Sequence, residues 1–284
     1  MTGIREQSAE KMKLELALSN VCFQNVSFAA FLSTASRIGI RKILYWAGVP
    51  HLYIDSGCRE SAEEHREQMR HYEMIPWMFI PRPYYYRISA SQWAAGRGRC
   101  MDYYSQCLDS AAELGSERIY LWLNTQKLER GNENVFDEAV AFAAEFIRRA
   151  EEKKMIPVLG TNTMGTPALI KNRAGFEAFL EQIGTENYEI ALDLAGIIRS
   201  GETLEEWMES YGDRVSMIFF NDCNRNQVKC WPYGTCNIKK YLGVLRQCQY
   251  QGILGEFLLN EEYFANPEVW AEENASYILE CLKK

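Results

Sequence analysis

The sequence predicts an α/β fold, a single (β/α)8 TIM barrel spanning residues 1–284. Three observations carry this prediction. Short, nearly continuous apolar runs alternate with longer amphipathic segments eight times over, no Pro/Ser-rich linker divides the chain, and 284 residues suit a single α/β barrel. A doubly wound open sheet is the structural alternative, but no G-x-G-x-x-G follows the first run.

The strand-like runs fall at about 13–19 (KLELALS), 42–46 (KILYW), 74–80 (MIPWMFI), 118–124 (RIYLWLN), 155–161 (MIPVLGT), 188–193 (YEIALD), 215–221 (VSMIFFN) and 252–258 (GILGEFL). Such continuous apolar character marks parallel strands buried on both faces. Helical patterns occupy about 26–38, 59–71, 97–114, 133–154, 167–183, 203–211, 237–248 and 263–282. The fourth is the clearest, because Val140, Phe142, Ala143, Phe146, Ile147 and Ala150 recur at helical spacing with charges on the other face. Gly39, Gly115, Gly184 and Gly212 stand where a helix hands over to a strand and are expected to cap it.

Composition narrows the function classes. The chain is 47% hydrophobic, 24% charged and 13% aromatic, which excludes a disordered or fibrous protein. A formal charge of −7, without an extended basic run, argues against nucleic acid as a partner. Nine cysteines, an odd number with no C-x-x-C pair, read as free thiols in a reducing compartment. The N-terminus lacks the apolar core of a signal peptide, and no apolar run is long enough to span a membrane. A cytoplasmic protein with no membrane partner is expected.

In a barrel, the loops after the C-terminal strand ends build the active face. The second and third of these place Trp46, His51, Tyr53, Tyr84, Tyr85 and Tyr86 near one rim, with Arg82 and Arg87 among them. Aromatic faces interleaved with guanidinium groups suit a small sugar or sugar phosphate. The alternative is that the aromatics pack the loops and the arginines pair with surface acids. Asn124, Asn162, Asp222 and Trp231 lie on later loops and complete a candidate substrate-binding set with Trp46, Arg82, Tyr84 and Arg87. His65 and His71 sit in a charged helical pattern and are expected to face solvent, whereas His51 is either a site residue or a structural hydrogen-bonder.

Asp193 closes the apolar sixth strand, so it either faces a polar pocket or caps a following helix. Asp222, which with Asn221 ends the seventh strand, is a site or a turn residue. In GILGEFLL, either Glu256 or Phe257 faces the barrel interior. No G-x-S-x-G elbow, Walker loop or H-E-x-x-H is present, and three histidines among scattered acids make a transition-metal site hard to assemble.

The WAGVPHLY, IALDLAG, GETLEEWMESYGDR, FFND and YGTCNIKKYLGVLRQCQYQG segments resemble the xylose isomerase-like TIM barrels, the sugar phosphate isomerase/epimerase group, and the resemblance covers nearly the whole chain. It implies one divalent ion, often manganese, held by a glutamate from strand five, an aspartate from strand six, a histidine from strand seven and a glutamate from strand eight. The two glutamates of the family move a proton between adjacent sugar carbons. Carried onto this chain, the aspartate is Asp193, the strand-five glutamate falls on Gly160 or Thr161, and the strand-seven histidine falls on Phe219. The histidine that often follows the aspartate appears as Gly196, and the last glutamate falls on Phe257 or, with a slip of one, Glu256. The metal site is therefore degenerate, with no assignable ligand set. Family barrels often pair, so a homodimer is an expectation.

Two functions follow. One is an isomerase or epimerase acting on a small sugar or sugar phosphate by proton transfer, with Asp193, Glu256 and His51 as catalytic acid/base groups. The other is a non-catalytic barrel that binds a sugar-like metabolite or serves as a subunit of a complex. Convergence of Asp193, Glu256 and His51 favours the first; an outward Glu256 with Phe219 and Phe257 on the pocket floor favours the second.

Overall fold

A computed structural model describes residues 14–82, 90–123, 135–161, 170, 172–225 and 227–283. Eight parallel strands close into a barrel in the order β1 (Glu15–Ser19), β10 (Ile253–Gly255), β7 (Val215–Phe219), β6 (Glu189–Asp193), β5 (Ile156–Gly160), β4 (Arg118–Trp122), β3 (Ile75–Pro81) and β2 (Lys42–Ala47). The TIM barrel read from the alternation is the observed fold. The outer layer comprises α1 (Phe28–Ile38), α2 (Glu63–His71), α3 (Ala90–Leu114), α4 (Val135–Glu152), α5 (Arg173–Ile183), α6 (Leu194–Ser200), α7 (Leu204–Tyr211), α8 (Ile238–Gln247) and α9 (Pro267–Lys283). No described helix is long and apolar enough to cross a membrane.

Three short elements were not read from the sequence. The short α6 starts directly after Asp193, and the loop after β7 carries an antiparallel hairpin of β8 (Asp222–Cys223) and β9 (Val228–Lys229). The last barrel strand is also shorter than expected, since residues 256–258 leave the ladder. Gly39, Gly115 and Gly184 adopt the left-handed conformation at their helix ends, as expected of a C-terminal cap, whereas Gly212 is right-handed and opens a 3-10 turn.

Strand alternation sorts side chains into two cores. Outward residues pack under the helices, and inward residues fill the barrel: Ala17, Leu44, Met78, Tyr120, Val158, Ala191, Met217 and Ile253 at mid-height, then Trp46, Ile80, Trp122, Phe219 and Phe257 toward the C-terminal mouth. At the opposite, N-terminal ends of the strands, Lys42 pairs with Glu15 (2.7 Å), and Arg118 grips Glu189 with two hydrogen bonds (2.8 and 3.1 Å). The apolar interior is thus bounded below by ion pairs, and its chemistry faces the mouth.

Two asparagine side chains continue the ladder where the strands run out. After β1, Asn20 donates to the Trp46 carbonyl (3.0 Å) and accepts from the Trp46 amide (2.7 Å). After β7, Asn221 donates to the Phe257 carbonyl and accepts from the Phe257 amide, both at 3.2 Å. A carboxamide presents the same donor and acceptor as a peptide group. Each one therefore pins the backbone of an aromatic residue at the barrel mouth.

Candidate functional site

Among the described residues, the C-terminal ends of the strands hold one inward acid. Asp193 is 2% exposed, and alternation from Ala191 places it on the inner face of β6, opposite Phe219 in the ladder to β7. It precedes α6 yet makes no side-chain capping bond to that helix. Its amide donates to the Thr161 hydroxyl (3.2 Å), which binds the tip of β5 to β6.

The neighbouring inward positions on the adjacent strands are aromatic or glycine. A Cβ on Gly160 would fall inside the Tyr120 phenol, so β5 ends in glycine because the Tyr120 ring takes that space. Tyr120 packs edge-on against Trp122 (4.8 Å between centroids) and Phe219 (5.5 Å), and Phe257 meets Phe219 (5.2 Å) and Trp122 (5.9 Å). These rings form one continuous aromatic cluster at the mouth. The Trp122 indole N–H donates to the Pro81 carbonyl (2.6 Å), while the buried Trp46 Nε1 has no hydrogen-bond partner among the described residues.

Glu256 lies elsewhere. Phe257 belongs to the inner cluster, and Glu256 points to the helix layer, where Oε2 accepts from Asn274 Nδ2 of α9 (2.7 Å). The carboxyl is 4% exposed, and Oε1 has no hydrogen-bond partner among the described residues. Burial pushes its pKa up to about 8, opposed only by the Asn274 bond. The proton-transfer role expected of Glu256 therefore lacks its geometry, because strand parity turns the group away from Asp193.

His51 takes the structural alternative. Asn20 Nδ2 donates to Nδ1 (2.9 Å), and Nε2–H donates to the Val26 carbonyl (3.0 Å), so both nitrogens of a neutral imidazole are engaged. Burial lowers its pKa, which favours that neutral form. Asn20 thus joins His51 to the Trp46 backbone as one buried network. His65 is not solvent-facing as expected: it bonds the buried Tyr45 hydroxyl (2.7 Å), its ring lies tilted against Phe28 (4.4 Å between centroids), and burial pushes its pKa down to about 4.

The remaining predicted ligand contacts divide. Asp222 is committed to its own loop, Oδ1 accepting from the Cys223 and Cys236 amides (2.7 and 3.0 Å) and Oδ2 from Gly234 (2.8 Å). Trp231 is buried in the outer core and donates to the Phe220 carbonyl (2.9 Å), so neither it nor Asp222 faces the mouth. Arg82 is exposed just past β3, its amide on the Ala47 carbonyl (3.1 Å). Tyr84, Arg87, Asn124 and Asn162 lie outside the described residues. Sequence reasoning missed Trp122 at the mouth and Tyr120 directly beneath it; counting alternate positions along RIYLWLN would have found both on one face.

The divalent ion implied by the sequence resemblance does not fit this donor set. Of its four ligand positions only Asp193 carries a metal-binding group on the inner face, the others being Gly160 or Thr161, Phe219 and Phe257. No group of three or more His, Cys, Asp or Glu side chains gathers among the described residues.

No protein-family model matches the sequence, and no curated protein matches it significantly. Solved structures resemble it over nearly its whole length. An L-ribulose 3-epimerase aligns with a TM-score of 0.75 at 12% identity, covering 95% of each chain. The IolI protein with a bound zinc atom aligns at 0.73 and 13% identity, over 95% of this chain and 98% of that one. A xylose isomerase domain protein from Planctomyces limnophilus gives 0.67 and 15%, covering 96% of both. At such identities the likeness speaks for architecture alone. The chain shares the (β/α)8 TIM-barrel fold of these structures.

Proposed function

We propose that this barrel binds a small sugar-like metabolite at its C-terminal mouth without catalysing metal-dependent isomerisation. One observation carries the reading: Asp193 stands on the inner face opposite Phe219 of the aromatic cluster, while the other acid considered for proton transfer, Glu256, is bonded to Asn274 on an outer helix. A two-base proton transfer needs two groups flanking one substrate. Aromatic rings with a single carboxylate instead suit an apolar sugar face and one or two hydroxyls. The sugar epimerases of the same architecture support the substrate class as an analogy.

The test is titration of small aldoses, ketoses, polyols and their phosphates, followed by tryptophan fluorescence and calorimetry. At least one should bind, and Asp193→Asn should weaken that binding by about tenfold or more, the loss expected for a hydrogen bond to a charged group. Incubation of the bound sugar in D2O should leave its carbon-bound hydrogens unexchanged by NMR. Deuterium incorporation beside the carbonyl would overturn the non-catalytic reading and establish the isomerase or epimerase instead.

A further inference from the structure

The loop after β7 contains a pair of thiols that neither the fold nor the mouth requires. Cys223 in β8 and Cys236, one residue before the Asn237 cap of α8, face each other with their sulfurs 3.5 Å apart. The backbone around them is already fixed: the Thr235 amide and hydroxyl both donate to the Cys223 carbonyl (2.9 and 3.1 Å), and Asp222 accepts from the Cys236 amide. A disulfide is about 2.0 Å long, so the sulfurs need approach by only about 1.5 Å.

The two thiols are unequal. Cys223 is buried and Cys236 half-buried, beside an open cleft lined by Asn224, Arg225, Gln227 and Thr235. The hydrogen bond between them holds the Cys236 thiol below its ordinary pKa and pushes Cys223 up. The N-terminus of α8 next to Cys236 acts in the same direction on that sulfur. Cys236 is placed to attack and Cys223 to resolve.

We propose that Cys223 and Cys236 form a redox modification site, a dithiol that small-molecule disulfides convert reversibly to an intrachain disulfide across the loop after β7. With oxidised glutathione, the Cys236 thiolate attacks one sulfur and forms a mixed disulfide; the glutathione S–S bond breaks, and the departing thiolate takes up a proton. Cys223 then gives up its proton and attacks the Cys236 sulfur, releasing the second glutathione as a thiol. The protein loses two electrons and two protons, and one glutathione disulfide becomes two thiols. The new bond closes the 223–236 segment onto the Asp222 clamp, directly after the strand that carries Phe219 at the mouth.

The full chain, reduced and then treated under native conditions with oxidised glutathione, should be acid-quenched, alkylated and mapped by tryptic mass spectrometry. The expected product is a peptide ending at Arg225 linked to one beginning at Cys230, with fragmentation placing the bond on Cys236, and dithiothreitol should reverse it. Cys230→Ser should retain the link. Cys223→Ser should accumulate glutathione on Cys236, whereas Cys236→Ser should give neither product. The proposal is overturned if oxidant concentrations that glutathionylate the exposed Cys58 and Cys248 leave Cys223 and Cys236 unlinked in the unmodified sequence, or if the bond maps to Cys230.

Discussion

Glu256→Gln should make the protein more stable, and increasingly so as pH rises. The folded carboxyl has a pKa of about 8 against an ordinary value of 4.5, with burial as the cause. The folded chain therefore keeps this proton at pH values where the unfolded chain has lost it. The stability contributed by the protonated group is fully present below about pH 4.5, declines as pH rises from there to about 8, and is gone above. At about 1.4 kcal/mol per pH unit, the full loss is about 5 kcal/mol, of which about 3 kcal/mol has accrued by pH 7. Glutamine copies the shape of the protonated acid, keeps an oxygen for Asn274 and does not titrate.

The unfolding entropy of a chain of 284 residues is about 0.6 kcal/mol per kelvin, so 3 kcal/mol corresponds to a gain of about 5 °C in Tm at pH 7. Differential scanning calorimetry of both proteins from pH 4.5 to 8.5 measures it. All other titrations cancel in the difference, leaving the contribution of Glu256. A Tm difference that stays constant across that range would refute both the burial argument and the outward placement of the side chain.

Other consequences can be measured alongside it. Gly160→Ala should lower Tm by several degrees, since overpacking costs about 1–3 kcal/mol, and adding Tyr120→Ala should recover part of the Gly160→Ala defect because the clash is with that ring. Asn221→Asp should cost about 2 kcal/mol by removing the donor to the Phe257 carbonyl, which denaturant titration would detect; an unchanged midpoint would dismiss the ladder role of the carboxamide. His51→Phe should destabilise by a similar amount yet leave the sugar affinity of the folded protein unaltered, because the imidazole serves Asn20 and Val26. Manganese, zinc or magnesium should not shift Tm, whereas a saturable rise with metal concentration would show a site that the described residues do not reveal.

The barrel was legible because strand and helix periodicities are local signals. All eight barrel strands and their principal helices fall near the expected positions. Helix α6 escaped because Leu194 begins it immediately after a strand, with no turn residue to mark the change, and β8–β9 because two-residue strands leave no period to read. The site was less legible for a different reason. Whether Glu256 or Phe257 faces inward depends on register, and nothing local marks the register of a strand whose ladder ends at Gly255. His51 was ambiguous because its partners, Asn20 and Val26, are 25 or more residues away. The lack of an acid at Gly160 was visible in the sequence; its cause, the ring of Tyr120 from the adjacent strand, was not.

That ring also constrains the evolutionary routes open to the chain. A carboxylate at position 160 is blocked while Tyr120 stands over it, and trimming Tyr120 first leaves a hole beside Trp122 and Phe219 until a new side chain fills it. Each single step is unfavourable, so the two positions can accommodate an acid only by changing together. The residue pair works as a lock: with tyrosine and glycine both in place, no single substitution puts an accommodated acid at the tip of strand five.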